Sequence, residues 1–402
     1  MAQRHILHHD LHVNPRARTV LLVSFGPVNV SFEQREANAT QIRECPIHDS
    51  GFLTEVTFTG QVVWSMALNR LLWKDFVRNL LPYSPCRDRL CYCVQSGYVG
   101  DVFHLNSVNW DIEQDVIYIS MRHIGTIGCI DRKTKAFKWL VGHLYGFRYI
   151  SYTERNPTLL EGFLSTHDIS VVAPDRYVLF SNGNDLWNFY KKMPLLAGGR
   201  VLAHRQKKGA CLLDISIQPG TSTVVENFAY CFGTPCRAMG SAQRLAFGHY
   251  LAHHTYKGIT RLVNNRGSLL LEFGAELLGD PTSRKARGQT LWQRTQLFFP
   301  WPQVNFTLEG CAVVLQVYDT IYRTIRAKGT VLLHSGAGRL QHKIPFLLKP
   351  YWQRTDVVLN GTLWEAMLNG SCSTLVLEVH VEDADVPAVF NVTRMNGTQH
   401  AD

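Results

Sequence analysis

The sequence predicts an all-β protein: a β-propeller with four visible blades, followed by a small β-sandwich-like region toward the C-terminus. Three observations predict it. One strand-pair pattern recurs along roughly the first 290 residues, a second strand-pair pattern follows each copy, and the strands beyond match neither. With 402 residues and 46% apolar side chains, the chain has room for two domains with sizeable cores. The boundary is read at 288/289, with residues 1–288 as the propeller and 289–402 as the C-terminal β-rich domain.

The first pattern appears as "HDLHVNPRARTVLLVS" (9–24), "HLNSVNWDIEQDVIYIS" (104–120) and "HDISVVAPDRYVLFS" (167–181). Each copy opens on His, places Val four residues on (Val13, Val108, Val171), turns, and ends a strand in Ser (Ser24, Ser120, Ser181). A fourth copy, "SAQRLAFGHYLAHH" (241–254), has Ser241 where the others have His. The second pattern is "GFLTEVTFTGQVVW" (51–64), "GTIGCIDRKTKAFKW" (125–139), "GACLLDISIQPGTSTVVENF" (209–228) and "GITRLVNNRGSLLLEF" (258–273). Together the two patterns give four strands per repeat, and such a unit cannot bury its faces alone. The hairpin 104–123 alternates as a half-buried strand pair does. Four blades are fewer than a ring of this shape normally needs, so the chain is expected to lack part of its beginning.

Between the first two blades, Leu68, Leu71, Leu72, Phe76 and Leu80 fall at helical spacing, and Pro82 and Pro85 stop the pattern. Past residue 290, "VNFTLEGCAVVLQVYD", "GTVLLHSG", "KIPFLLKP" and "STLVLEVHVED" read as the strands of the second region. Ten cysteines and seven Asn-x-Ser/Thr sequons, at Asn29, Asn38, Asn305, Asn360, Asn369, Asn391 and Asn396, point to disulfides and glycosylation in the secretory lumen or outside the cell. Cys311 and Cys372 are the expected pair of the C-terminal part. "MAQRHILHHDLHVNPR" has no apolar core and is no signal peptide, in keeping with an incomplete beginning.

The formal charge of +9 suits anionic ligands, but no run of five Lys/Arg occurs and "RQKKG" (205–209) reads as a solvated turn, so nucleic acid is not an expected partner. No stretch approaches 18 apolar residues, so no membrane span is expected. "CRDRLCYC" (86–93) lacks the paired spacing of a zinc site, and neither a metal nor another cofactor is expected.

In a propeller the innermost strands line one channel, so residues at matching positions of successive blades converge there. The repeat puts His9, His104, His167 and Ser241 at one level, with Asn106 on the side of His104 and Arg122 after the next strand. His8, His12, His123, His249, His253 and His254 lack this support and read as surface or supporting residues. Asp10 and Asp168 read as fixing blade turns. Three imidazoles suit a metal, yet the fixed charge of Arg122 opposes a dication. Guanidinium, amide and imidazole N–H groups together suit a sulfuryl or phosphoryl group, with one further imidazole as nucleophile.

"HHDLHVNP", "DVFHLNSVNWDIEQDVIYISMR", "IDRKTKAFKWLVG", "FLSTHDISVVAPDRYVLFSNGND" and "GSAQRLAFGHYL" resemble the arylsulfotransferase family over roughly residues 5–275. The resemblance implies a six-bladed propeller, so this chain would be short at its start. It also implies sulfuryl transfer from an aryl sulfate to a phenolic or other hydroxyl acceptor, without an adenylyl sulfate donor. His167 of "STHDI" then matches the nucleophile that carries a transient sulfohistidine, and His104, Asn106 and Arg122 match sulfate-binding positions. The early family histidine falls on His8 or His9, of which the repeat picks His9; a late hydroxyl falls on Ser241 or Thr234. The competing expectation is a non-catalytic secreted propeller that binds sulfated glycans or proteins. A quinone-dependent dehydrogenase is a third reading, for which the sequence shows no calcium-ligand cluster. Oligomeric state is not legible in the sequence.

Overall fold

The structure, a computed structural model, describes residues 6–36, 39–68, 71–72, 103–142, 147–151, 158–160, 165–183, 209–236, 239–245, 248–274, 303–309, 312–318, 326–335, 340–349, 354–359, 374–381, 387–394 and 399–401. The chain divides into two units, Met1–Thr295 and Gln296–Asp402. Among the described residues the protein is almost wholly β, and the first unit is a set of propeller-type sheets. Strands β1 (Ile6–Asn14), β2 (Thr19–Glu36), β3 (Ala39–Thr57) and β4 (Val62–Ala67) form the first sheet in sequence order. Strands β5 (Leu105–Asp111), β6 (Val116–Met121), β7 (Thr126–Asp131) and β8 (Ala136–Val141) form the second in the same way.

The third sheet holds β9 (Arg148–Ser151), β10 (Thr158–Leu160), β11 (Thr166–Ala173), β12 (Arg176–Ser181), β13 (Cys211–Gln218) and β14 (Thr223–Cys231), in the order β10-β9-β14-β13-β12-β11. The fourth is β15 (Ser241–Arg244), β16 (Tyr250–His254), β17 (Ile259–Val263) and β18 (Leu269–Gly274). The innermost strands lie in sequence: β1 beside β5, β5 beside β11, β11 beside β15.

The strand pairs read from the sequence are present, and several features depart from that reading. Strands β2 and β3 continue past Ser24 as a long hairpin that reaches the pair Glu36↔Ala39. Strand β9 joins the third sheet by parallel pairing with β14, outside the repeat. The hairpin β5–β6 is buried on both faces rather than one, because β1 and β11 flank it. Met66 and Ala67, just ahead of the residues at helical spacing, belong to β4. Leu68, Leu71 and Leu72 are helical, in agreement with their spacing; Leu68 and Leu72 are buried and Leu71 is half-exposed. Phe76, Leu80, the 86–93 cysteine cluster and 205–208 lie outside the described residues, as do Cys311 and Cys372.

A repeated polar seam joins the blades. Asp10 Oδ2 accepts from the Val108 amide at 2.9 Å, Ser107 Oγ from the Ile169 amide at 3.1 Å, and Asp168 Oδ2 from the Ala242 amide at 3.0 Å. Asp10 and Asp168 therefore bridge to the next blade instead of fixing turns. The seam also sets the register: Asp10, Ser107, Asp168 and Ser241 share one rung. His9, Asn106, His167 and Gly240 share the rung before it, and His104 stands two residues earlier, ahead of β5.

This corrects the sequence register, which put His104 and Ser241 level with His9 and His167. The cause is a bulge in each of β1, β5 and β11, between Leu7 and Leu11, Leu105 and Ser107, and His167 and Ser170. Left-handed backbone at His9 (φ 56°), His104 (φ 48°) and Asp168 (φ 53°) accompanies the bulges. A bulge turns side chains to the other face, and residue counting cannot see it.

The second unit has a sheet of β19 (Gln303–Glu309), β20 (Ala312–Tyr318) and β23 (Thr355–Leu359). Its other sheet has β21 (Ala327–Ser335), β22 (Leu340–Leu348), β24 (Thr374–Val381), β25 (Ala388–Arg394) and β26 (Gln399–Ala401), in the order β22-β21-β24-β25-β26. Leu315, Val317 and Val357 from the first sheet share one aliphatic core with Val331, Leu333, Leu377 and Val379 from the second. Burial in β23 alternates strictly, as a one-sided strand requires.

Candidate active site

The site is assembled where β1, β5 and β11 lie side by side. His9 Nε2 and His104 Nε2 are 2.9 Å apart, with ring centroids 4.8 Å apart and planes near perpendicular at 70°. One ring donates and the other accepts, so the pair holds a proton between them. The His9 ring also lies 6.2 Å from that of His167. Arg122 and His123 sit in the turn between β6 and β7, and the Arg122 amide donates to the His104 carbonyl at 3.0 Å. This bond ties the turn to the start of β5. The His123 ring stacks on His104 at 4.4 Å.

His167 is 1% exposed. Burial holds its basicity well below the ordinary imidazole range, and the charges of Arg122, His104 and His9 push the same way. Its ring is therefore neutral at neutral pH. Nδ1 lies 2.6 Å from Asn182 Oδ1.

The structure thus brings His9, His104, Arg122 and His167 together. Asn106 is fully buried, and its amide is engaged with protein: Nδ2 donates to the Thr166 carbonyl at 2.7 Å, and Oδ1 accepts from Ser120 Oγ at 2.5 Å. It fastens β5 to β11 one residue before His167. Ser241 is buried in β15 at the rung of Asp168 and pairs across the strands with His253. Thr234 lies in the segment after β14, where its carbonyl accepts from the Ala210 amide at 2.9 Å. His8 lies in β1, its side chain outside the described residues.

Sequence reasoning read His123 only as a surface or supporting residue and gave Asn182 no role. His123 directly follows Arg122, and its stacking partner is set by the turn. Asn182 follows the last residue of β12, and the signal that marks it is the Asn-Gly pair. Gly183 has φ 67°, and a Cβ there would stand 2.1 Å from the Gly209 carbonyl oxygen, so the position requires glycine. Three further histidines are buried supports. His12 Nδ1 accepts from the Trp110 amide at 3.3 Å, His253 Nδ1 meets Thr260 Oγ1 at 2.9 Å, and burial pushes His254 down to about 4.

Cys231 is joined to Cys211, its cross-strand partner on β13, by a disulfide. Of the sequon acceptors, Asn29 lies in β2, Asn305 in β19 and Asn391 in β25. Asn38, Asn360, Asn369 and Asn396 lie outside the described residues. Among the described residues no helix is long and apolar enough to cross a membrane.

Residues 6–163 match the family model described as Arylsulfotransferase (ASST), the stretch that holds the motifs from "HHDLHVNP" to "IDRKTKAFKWLVG". The matched stretch contains His9, His104, Asn106 and Arg122 and ends four residues before His167. No curated protein matches the chain. Among solved structures, a virginiamycin B lyase from Staphylococcus aureus is similar at 9% identity and a TM-score of 0.31, over 96% of this chain and 87% of that one. The Cps50 (Swd1) β-propeller domain of Myceliophteria thermophila is similar at 8% identity and a TM-score of 0.32, over 99% and 89%. Likenesses this faint carry no argument about this chain.

Proposed function

We propose that the chain transfers a sulfuryl group from an aryl sulfate to a phenolic or other hydroxyl acceptor in two steps, with His167 carrying the group between them. The observation that carries this reading is a buried, neutral imidazole at His167, with the His9 ring 6.2 Å away, His104 2.9 Å beyond it across the His9–His104 contact, and the charge of Arg122 acting on it. A neutral imidazole has a lone pair to attack sulfur, and its protonated form has none. As the N–S bond forms, the S–O bond to the aryl group breaks. The leaving phenoxide takes a proton from the singly protonated His9–His104 pair, which is left neutral with one N–H still shared between the rings. In the return step the acceptor hydroxyl gives a proton to that pair, its oxygen attacks sulfur, and the N–S bond breaks.

The transition state is loose, as in phosphoryl transfer, with negative charge on the equatorial oxygens. Arg122 and an imidazole N–H meet that charge, each contributing about 3–4 kcal/mol where water is excluded. The same positive charges keep His167 unprotonated, so one arrangement both binds the anion and frees the nucleophile. Asn106 holds β5 against β11 so that the two halves keep their spacing.

The same reading puts the protein in the secretory lumen or outside the cell, supported by the Cys211–Cys231 disulfide and the seven sequons. A mobility shift on glycosidase treatment of secreted protein is the expected outcome; an unglycosylated, reduced protein contradicts it.

The direct test is release of nitrophenol from p-nitrophenyl sulfate with and without a phenolic acceptor. Release that depends on acceptor and vanishes in His167→Ala is expected. Full activity in His167→Ala overturns the nucleophile, and a folded protein that binds sulfated glycans without turnover favours a binding module.

A further inference from the structure

We propose that Asn182 is the positioning residue that selects the tautomer of His167, keeping the proton on Nδ1 and the lone pair on Nε2. The inference deepens the reading above and rests on it for the kinetic consequence. The tautomer itself depends on no activity.

An amide oxygen only accepts, so at 2.6 Å from Asn182 Oδ1 the His167 Nδ1 must donate. The orientation of the amide is fixed by its other end, where Nδ2 donates to the Met239 carbonyl at 2.7 Å. Turning the amide over would set Oδ1 against that carbonyl oxygen. The backbone of Asn182 is held as well: its amide donates to the Ser165 carbonyl at 3.2 Å, and its carbonyl accepts from the Cys236 amide at 2.9 Å.

Gly183 then passes against Gly209, and Gly209, with φ 74°, passes against the backbone of Thr234 at a distance that leaves no room for a Cβ. The disulfide at Cys211 and Cys231 closes the hairpin from which the 232–240 segment leaves. Both His167 and Asn182 are within 1% of full burial, so water does not compete for the bond.

Charge explains why an amide serves here. Among the described residues, the titratable and charged groups that act on His167 are Arg122 in the β6–β7 turn, His104 before β5 and His9 in β1. From the β12 side comes the neutral amide of Asn182. A carboxylate in its place would favour the imidazolium and remove the lone pair. An amide fixes the tautomer with far less gain in basicity.

The test is nitrogen-15 NMR of histidine-labelled protein, with pH–rate profiles, on the full chain and its Asn182→Asp and Asn182→Leu variants. In the unsubstituted protein His167 is expected to show a protonated, pyrrole-type Nδ1 and a bare, pyridine-type Nε2 through the neutral range. Asn182→Asp, nearly isosteric, should move His167 protonation up by about 1–3 pH units and carry the acid limb of kcat/KM with it. Asn182→Leu should mix the tautomers and lower kcat on the order of 10²-fold or more. A bare Nδ1 in the unsubstituted protein overturns the proposal, as does an Asn182→Asp variant whose His167 titration stays in place. If no sulfuryl transfer is found at all, the functional reading falls, while the nitrogen shifts still decide the role of Asn182.

Discussion

The first unit buries Asn106, Ser107, Asn109, Asp111, Ser120, His167, Asp168 and Asn182 along and beside its innermost strands, whereas the described core of the second unit is aliphatic, built from residues such as Val331, Leu333, Leu377 and Val379. An aliphatic core stabilises without direction and tolerates shifts that keep its volume. A buried polar seam costs desolvation unless every group meets its partner, so it fixes strands relative to one another. In the first unit that seam runs from blade to blade, and His9 and His167 stand on the adjoining rung. The difference separates a scaffold that only has to be filled from one that has to hold positions.

The largest expected effect divides the two regions cleanly. His167→Ala should lower kcat on the order of 10⁴-fold or more with the fold intact by circular dichroism. Leu333→Ala, fully buried in the second unit, should lower unfolding free energy by about 2–5 kcal/mol in urea and leave kcat of the folded enzyme unchanged. A loss of kcat in Leu333→Ala comparable to that of His167→Ala would break the comparison.

Acid sharpens it. Burial pushes His254 down to about 4, below the 6.5 of an ordinary imidazole, so the unfolded chain takes up the proton first. Stability is then full above pH 6.5 and drains as pH falls toward 4, by up to about 3 kcal/mol from this group. His167 bends the curve the same way. His254→Asn should flatten it in part, and an unchanged slope in denaturant melts from pH 7 to 4 would contradict the burial argument.

Backbone strain gives the next effect. Gly183→Ala puts a Cβ 2.1 Å from a backbone oxygen at φ 67° and should cost about 3 kcal/mol or more. A stability equal to that of the parent would show that the Gly183–Gly209 approach is loose. The smallest effect is at the seam: Asp168→Ala should cost about 1–3 kcal/mol and speed hydrogen exchange at the Ala242 amide, with no such change at Val108. Equal change at both amides would mean that the blades do not hold one another pairwise.

The repeated strand pairs were legible in the sequence because apolar strand runs and turn residues are local signals. Val116, Tyr118 and Ser120 lie in one strand and report on it directly. The convergence of His9, His104, Arg122 and His167 was legible through the repeat and the family motifs. Their rungs were not, since bulges at His9, Asn106 and Asp168 change register without changing composition. The amide of Asn106 was read as an anion donor from strand alternation with His104 and from the family motif; its bond to the Thr166 carbonyl, 60 residues away, was not legible. The added strands β9 and β10 carry no repeat, and the partner of Cys231 is set by cross-strand pairing rather than by nearness in sequence.

The most direct measurement is a single turnover with p-nitrophenyl sulfate and no acceptor, followed by peptide mass spectrometry under alkaline conditions that spare an N–S bond. A burst of one nitrophenol per protein is predicted, with the mass of one SO3 group on the peptide that contains His167, discharged on adding a phenol. A burst without that mass on His167, or the same mass on the His167→Ala protein, would contradict the central role given to this imidazole.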